Sequence, residues 1–183
     1  MAQDTPITNI AFQGMKFSYK ARDLLKPRQI LLSEVPIKPA DYVLDYGCGT
    51  GSYSFIISKI VGDAGRVYAL DIHPLAIKHV ENLVRNRGIT NMITILSDCD
   101  TGLAENSVDV ILLFDIFHMF SDPNRNLAEL ARILKDDGIL SFSDVHMNEK
   151  AIIDGMTAGN LFRFMGRGEY VFSFGKAADR NIS

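Results

Sequence analysis

The chain has 183 residues, a formal net charge of -3 and 47% hydrophobic residues, which is an ordinary composition for a globular protein. The small net charge argues against nucleic-acid binding by the chain as a whole, and no apolar run is long enough to span a membrane. The two cysteines, Cys48 and Cys99, lack metal-site spacing, and the first residues contain no signal sequence, so we expect a cytoplasmic protein.

The length fits one domain spanning residues 1–183, in three parts. We expect an N-terminal arm and lid helix in residues 1–40, a cofactor-binding core in residues 41–145, and a helix followed by a hairpin in residues 146–183. Basic side chains outnumber acidic ones between residues 12 and 40. This excess predicts either a solvated face or a basic entrance that attracts an anionic substrate.

Short apolar strands alternate with amphipathic helices through the core. The strands are predicted at Tyr42–Tyr46, Arg66–Leu70, Met92–Leu96, Val108–Phe114 and Ile139–Ser143. Pro74 and Pro123 mark the starts of two helices between them, and Gly88 marks the end of one. The repeated order predicts a parallel sheet, and residues 161–174 are expected to form an antiparallel hairpin. The predicted fold class is therefore α/β: a Rossmann-like, doubly wound, mostly parallel seven-stranded sheet with helices on both faces and an antiparallel C-terminal hairpin.

The spacing of apolar residues also predicts which helix faces are buried. The lead-in helix, which Pro27 begins, is expected to bury Ile30, Leu31 and Val35. The helix after the first strand is expected to bury Tyr53, Ile56, Ile57, Ile60 and Val61. In the helix that Pro123 begins, the buried stripe is Leu127, Leu130, Ala131 and Leu134.

The stretch VLDYGCGTGSYS, residues 43–54, joins the first strand to the next helix through three alternating glycines, Gly47, Gly49 and Gly51. Closely spaced glycines let the backbone approach a ligand, and the start of a helix offers free N–H groups to it. The stretch therefore favours a cofactor that contains a nucleotide, although any tight strand-to-helix turn can require glycine.

An acidic residue ends or closely follows each of the first five predicted strands. These residues are Asp45, Asp71, Asp98, Asp115 and Asp144. They should share one rim, because the carboxyl ends of parallel strands meet at the same edge of a sheet. Asp71 comes 20 residues after Gly51, the distance at which an acid accepts hydrogen bonds from a ribose. Asp98 is placed to accept from an adenine amino group, and the backbone of Cys99 is expected at the ring edge.

Two cofactor classes fit the glycines and the acids. A dinucleotide fingerprint has glycine or alanine where this chain has Ser52, and it usually has an apolar residue where Asp45 stands. A carboxylate at that place would repel a pyrophosphate but could hold an ammonium group. The amino acid end of S-adenosylmethionine carries an ammonium group, so this donor is favoured over a nicotinamide dinucleotide.

Four segments resemble the class I S-adenosylmethionine-dependent methyltransferases, above all the small-molecule branch that includes the ubiquinone and menaquinone biosynthesis enzymes. They are VLDYGCGTG, ALDIHP, SDCDTGLAENSVDVILL and NLAELARILKDDGILSFSD, and the resemblance covers about residues 25–145. It implies S-adenosyl-L-methionine as cofactor and S-adenosyl-L-homocysteine as product. It places Asp45, Gly47, Gly49 and Gly51 around the methionine part, Asp71 and Ile72 at the ribose, Asp98 and Cys99 at the adenine, and the backbone of Phe114 at the fourth strand.

Methyl transfer from a sulfonium is a direct displacement, in which the protein mainly aligns the acceptor and excludes water. A thiol, phenol or enol acceptor must also lose a proton, and His118 and His146 are the candidate bases at the rim. Tyr19 is a weaker candidate, and each histidine could instead serve packing or hydrogen bonding. No metal site is expected, because Val145 stands where catechol-type methyltransferases have an Asn ligand.

Several apolar residues could line a pocket for a small, apolar or anionic acceptor. They are Phe12, Met15, Phe17, Phe117, Met119, Phe120, Met147, Phe162 and Phe164. Packing in the core is the alternative, and it is favoured for Phe162 and Phe164. The segment FDIF after the fourth strand is not the motif of nucleic-acid amino methyltransferases. The expected partners are thus a small-molecule acceptor and a second copy in a homodimer, with no nucleic acid and no membrane span.

Three functional hypotheses follow from these patterns. The leading one is a methyltransferase that acts on a small molecule. The second is a non-catalytic S-adenosylmethionine-binding module or accessory subunit, because the sequence has no signature base. The third is a nicotinamide-dependent oxidoreductase, which Asp45 and Ser52 disfavour.

Overall fold

The computed structural model describes residues 28–177. Several predictions lie outside the described residues. They concern the N-terminal arm, the helix start at Pro27, and the side chains of Phe12, Met15, Phe17 and Tyr19.

Strands and helices alternate through the described chain. In order they are α1 (Arg28–Ser33), β1 (Tyr42–Tyr46), α2 (Ser52–Val61), β2 (Arg66–Asp71), α3 (Pro74–Arg87), β3 (Met92–Leu96), β4 (Val108–Phe114), a 3₁₀ helix (Phe117–Met119), α4 (Pro123–Ile133), β5 (Leu134–Ser143), α5 (Glu149–Thr157), β6 (Phe162–Arg167) and β7 (Phe172–Lys176). Proline lies in the first turn of both α3 and α4, and α3 ends at Gly88 in the left-handed conformation, as the sequence predicts.

The strands form one seven-stranded sheet in the order β3-β2-β1-β4-β5-β7-β6. The first five pair in parallel, whereas β7 pairs antiparallel with both β5 and β6. The predicted fold class is confirmed, including the antiparallel hairpin. Strands β1 and β4 lie at the centre, so the loops that follow their carboxyl ends face each other across the point where the strand order reverses.

Both faces of the sheet are covered. On one face, β-strand residues such as Leu44 and Ile111 pack with Leu130 of α4 and Met156 of α5. On the other face, the buried residues come from β1, β2 and β4 together with α1, α2 and α3. Because the central strands are buried on both faces, they consist of nearly continuous apolar runs.

Two residues that were predicted on buried helix faces, Ile30 and Ile60, are exposed. In α1, Ile30 is 45% exposed and Leu32 is buried in its place. In α2, Ile60 is 37% exposed, whereas Ser54 and Ser58 are buried. The serines can be buried because each has a polar partner: Ser54 donates to Asp45, and the Ser58 hydroxyl lies 2.7 Å from the Asn91 amide oxygen.

Strand β5 begins earlier than predicted. Leu134, expected on the buried stripe of α4, is its first residue and pairs with Val108, whereas the expected start, Ile139, pairs with Val110. The register shifts between these two pairs, so the strand contains an irregularity before Ile139. Across residues 28–177, no helix combines the length and apolar character that crossing a membrane requires.

Helix α1 is fastened to the loop between β6 and β7 by one carboxylate. Glu34, which follows α1, accepts backbone hydrogen bonds from Glu169 at 3.1 Å, Tyr170 at 2.9 Å and Val171 at 2.8 Å. Hydrogen bonds to a charged acceptor are stronger than neutral ones. This contact joins the two ends of the described chain and holds α1 beside the carboxyl ends of the central strands.

We expect the substitution Glu34→Ala to lower the free energy of unfolding by about 1 to 3 kcal/mol, because it leaves three backbone donors without their acceptor. Glu34→Gln should cost less, since its amide oxygen can retain two of the donors. Urea denaturation measures both. Glu105→Ala, which removes an exposed glutamate from another loop, should change stability by less than about 0.5 kcal/mol; an equal effect at positions 34 and 105 would contradict the prediction.

Candidate active site

The loop between β1 and α2 requires glycine at two positions. Gly47 and Gly51 have φ values of +80° and +74°, in the left-handed region. A Cβ atom on Gly47 would lie 3.1 Å from the side chain of Ile116, and one on Gly51 would lie 3.0 Å from Phe55 and Val80. The loop is therefore both turned and closely packed against its neighbours.

The amides of this loop bond to the protein itself. Those of Gly47 and Cys48 both donate to the Leu70 carbonyl at 2.8 Å, and the Gly49 amide donates to Asp71 Oδ2 at 2.8 Å. These three loop amides are therefore already paired within the protein. The carboxylates of Asp45 and Asp71 lie beside the loop, and they suit a ligand with a cationic group and hydroxyl donors.

Asp45 lies at the end of β1 under the start of α2 and is 3% exposed. Its carboxylate accepts a hydrogen bond from the Ser54 hydroxyl. Burial raises the pKa of Asp45 to about 6, although the Ser54 hydroxyl and amide lower it. A carboxylate beside the amino end of this helix would repel a pyrophosphate bound there.

Asp45 contributes to the wall of a small cavity of about 30 Å³. The cavity is lined by Arg28, Asp45, Gly47, Cys48, Gly49, Thr50, Ser52, Tyr53, Phe114 and Asp115. The guanidinium carbon of Arg28 lies 5.6 Å from the centre of the Tyr53 ring. The cavity thus offers an anion and a cation, which match the ammonium and carboxylate groups of a free amino acid.

A second cavity of about 200 Å³ adjoins the first at Gly47, which lines both. Its lining residues are Tyr46, Gly47, Leu70, Asp71, Ile72, Ser97, Asp98, Ile116, Met119, Phe120 and Ser121. Asp71 is fixed there by the amides of Gly49 and His73, each donating at 2.8 Å, and burial raises its pKa. Each Asp71 oxygen keeps a lone pair with which it can accept from a ribose hydroxyl.

Asp98 is held at the wall of the larger cavity by residues that the sequence reading missed. Arg125 Nη1 lies 3.1 Å from Asp98 Oδ2, and the Tyr46 hydroxyl lies 3.0 Å from the Asp98 carbonyl. Tyr46 also bonds to the amide oxygen of Asn126. No sequence pattern links these positions, because the contacts join β1 and α4 to the loop after β3.

Four predicted site residues, Gly51, Cys99, His118 and His146, line neither cavity. Gly51 packs against the helices, and Cys99 is buried with its sulfur 3.7 Å from the Arg125 carbonyl. Burial raises the pKa of Cys99 to about 11 and that of Cys48 well above its ordinary value. Both thiols are therefore poor nucleophiles.

The structure brings the two candidate bases together. The ring centres of His118 and His146 are 4.4 Å apart, and His118 Nδ1 lies 2.8 Å from Asp144 Oδ2. Asp144 also accepts from the His146 amide at 3.0 Å. The sequence placed these three residues at one rim but did not indicate that they contact each other.

The apolar residues expected around the acceptor separate into different environments. Phe117 is buried and packs against Phe142, and Phe162 is buried in the core. Met119 and Phe120 line the larger cavity, beside Asp71 and Asp98 rather than beside the histidines. Within residues 28–177, no group of three or more His, Cys, Asp or Glu side chains could hold a metal ion.

Comparison with known proteins shows the family to which the chain belongs. The family described as "Methyltransferase domain" matches residues 37–164. A crystal structure of an S-adenosylmethionine-dependent methyltransferase from Aquifex aeolicus is 25% identical with a TM-score of 0.79, covering 94% of this chain and 100% of that one.

Two curated relatives are also methyltransferases. A probable cobalt-precorrin-6B C(15)-methyltransferase (decarboxylating) of Saccharolobus solfataricus is 41% identical over 69 residues, which are 38% of this chain and 35% of that protein. The demethylmenaquinone methyltransferase of Lactobacillus johnsonii is 24% identical over 128 residues, which are 69% of this chain and 52% of that protein. The chain thus spans about half or less of the length of these relatives.

The fold and these matches identify the class as that of the class I S-adenosylmethionine-dependent methyltransferases. The chain belongs to the methyltransferase-domain family. S-adenosyl-L-methionine is the cofactor of this class, and the acidic side chains of the site fit its cationic amino acid end and its ribose.

The substitution Asp45→Asn should stabilise the protein while weakening donor binding. The pKa of Asp45 is raised in the folded state, so its contribution to stability is lost as pH rises from 3.8 to about 6. At pH 7 the variant should therefore be more stable, by at most about 3 kcal/mol, in urea denaturation. Its affinity for S-adenosylmethionine should fall at least about tenfold in calorimetric titration, because an amide does not attract an ammonium group.

The same carboxylate should make donor binding pH-dependent. We expect the wild-type affinity to fall as pH drops below about 6, since Asp45 becomes protonated while the donor's ammonium group stays charged. The Asp45→Asn variant should show no such dependence between pH 5 and pH 7. Ser54→Ala, which removes a group that lowers this pKa, should move the midpoint to higher pH. A flat wild-type profile would contradict the assignment.

Proposed function

We propose that the protein transfers a methyl group from S-adenosylmethionine to a small-molecule acceptor by direct displacement. The observation that carries the proposal is the buried carboxylate of Asp45 in the smaller cavity, joined through Gly47 to a larger cavity that contains Asp71 and Asp98. An elongated ligand with a cationic amino acid end, a ribose and an adenine matches this order of groups.

The proposed assignments follow the two cavities. Asp45 holds the ammonium group and Arg28 the carboxylate of the donor, while Asp71 accepts from the ribose hydroxyls. Asp98 accepts from the adenine amino group, and Ile72 covers the ring or ribose from one side. The bound donor supplies an electrophilic methyl group on a sulfonium, so the residues of this chain need only fix its orientation, exclude water and position the acceptor.

Several observations support a small acceptor. The printed names of the two curated relatives refer to cobalt-precorrin-6B and demethylmenaquinone, neither of which is a macromolecule. The net charge of -3 and the segment FDIF after β4 do not favour nucleic acid. Asp115, which follows β4, adds a polar group beside Phe114 in the wall of the smaller cavity.

Binding of the donor can be tested by isothermal titration of the full chain with S-adenosylmethionine and S-adenosylhomocysteine. Wild type should bind both, and Asp71→Ala should bind about 10- to 100-fold more weakly, because it loses an acceptor for the ribose and for two loop amides. Asp154→Ala, in an exposed ion pair on α5, should bind as wild type. Absence of binding by wild type would overturn the proposal.

Catalysis can be tested by incubating the chain with methyl-labelled donor and a metabolite extract. We expect label in one or more small molecules. Label in nucleic acid or protein would overturn the small-molecule proposal, and donor binding without any transfer would favour the second hypothesis of a non-catalytic binding module.

We further propose a reducing compartment such as the cytoplasm, since Cys48 and Cys99 are both free and buried. The number of copies in the assembly can be read from the molar mass in solution. A homodimer is our expectation.

A further inference from the structure

Asp144 is a buried carboxylate that contacts two histidine residues. Its side chain is fully buried, and its Oδ2 atom lies 2.8 Å from Nδ1 of His118. Its Oδ1 atom accepts from the His146 amide at 3.0 Å. Oδ2 also accepts a longer bond, 3.4 Å, from the backbone amide of His118. Both oxygens are therefore engaged, and Asp144 cannot reorient without breaking contacts with two loops.

This contact determines which nitrogen of His118 carries a proton. An ionised carboxylate only accepts hydrogen bonds, so the neutral His118 ring must donate from Nδ1. The Nε2 atom then keeps its lone pair and can accept a proton. The His118 side chain is 30% exposed, so part of the ring reaches the surface at the rim. His146 packs across the ring and restricts its rotation.

The pair of His118 and Asp144 does not line either cavity, but a backbone contact links it to the wall of the smaller one. Asp115 lines that cavity, and its Oδ1 atom accepts from the Val145 amide at 3.0 Å. Val145 directly follows Asp144 in the chain, so one residue separates the pair from the cavity wall. Asp115 also has a φ value of +53°, a conformation that is costly for a non-glycine residue and is common at functional sites.

We propose that Asp144 is a positioning residue that holds His118 in the Nδ1–H form, and that His118 Nε2 removes a proton from the acceptor. The inference rests on the proposed function and narrows its substrate class to hydroxyl, thiol or enol acceptors. The proton moves from the acceptor atom to Nε2, the electron pair of that bond stays on the acceptor atom, and the imidazolium later returns its proton to water. The acceptor atom is thereby made nucleophilic where it faces the donor.

The tautomer can be measured without any acceptor. Nitrogen-15 NMR of the full chain, at a pH where the histidine rings are neutral, should show His118 protonated at Nδ1 and bare at Nε2. Substitution of His118 by Gln assigns the signal. Asp154→Asn, which changes an exposed acid on α5, should leave it unchanged. A His118 ring protonated at Nε2 in wild type would overturn the inference.

Kinetics separates a catalytic role from a structural one. With an acceptor found by the labelling experiment, His118→Gln and Asp144→Asn should each lower kcat about 10²- to 10⁴-fold while the Kd for S-adenosylmethionine stays within about threefold of wild type. The double variant should be little worse than the single ones, because the two residues act as a unit. Parallel losses of kcat and of donor affinity would indicate a structural role and overturn the inference.

The class of acceptor gives an independent result. Methyl-labelled donor can be offered with phenol, catechol and benzyl mercaptan, which are protonated at neutral pH, and separately with dimethyl sulfide and pyridine, which have no proton to lose. Transfer confined to the first set supports the inference, and transfer to the second set by an enzyme insensitive to His118→Gln overturns it. The proposed function fails on a different observation, the absence of donor binding by wild type.

Discussion

The geometry of the site depends on two backbone amides that donate hydrogen bonds to the same carbonyl oxygen. Gly47 and Cys48 both donate to Leu70, and this fastens the glycine loop to the end of β2. The Gly49 amide is thereby brought to Asp71, while Asp45 stays covered by the start of α2. Because these amides are used within the protein, the loop has none of them left for a phosphate. In dinucleotide-binding proteins the corresponding turn binds pyrophosphate, whereas here the carboxylates of Asp45 and Asp71 flank the turn and favour a cofactor with a cationic group.

The parallel sheet places one acid after each of five strands, yet the tertiary contacts give every acid a different role. The main partners are Ser54 for Asp45, two loop amides for Asp71, Arg125 for Asp98, the Val145 amide for Asp115, and His118 for Asp144. A buried carboxylate with a hydroxyl partner remains available to a cation, whereas one paired with imidazole orients a base. Five similar residues at one rim therefore lie in five different environments.

Sequence reasoning succeeded where local pattern and global fold agree. The strands were predicted because buried parallel strands are short apolar runs, and α3 and α4 because proline and glycine mark their ends. The prediction that Ile60 is buried was wrong, and so was the predicted start of β5 at Ile139. The burial of Ser54 and Ser58 depends on Asp45 and Asn91, which lie on other elements, so no periodicity within α2 could reveal it. The early start of β5 likewise depends on an irregular pairing with β4.

By itself the sequence determined the alternation of strands and helices, the glycine turn and the acids at the rim, and from these the class of cofactor. Spacing along the chain suffices for such features because each strand ends at the same edge of the sheet. Only the tertiary structure decided that Cys99 turns away from the cavities and that Met119 and Phe120 line the larger one. It alone joined His118 to Asp144, because two residues 26 positions apart meet only when β4 and β5 lie side by side and their loops fold over the same rim.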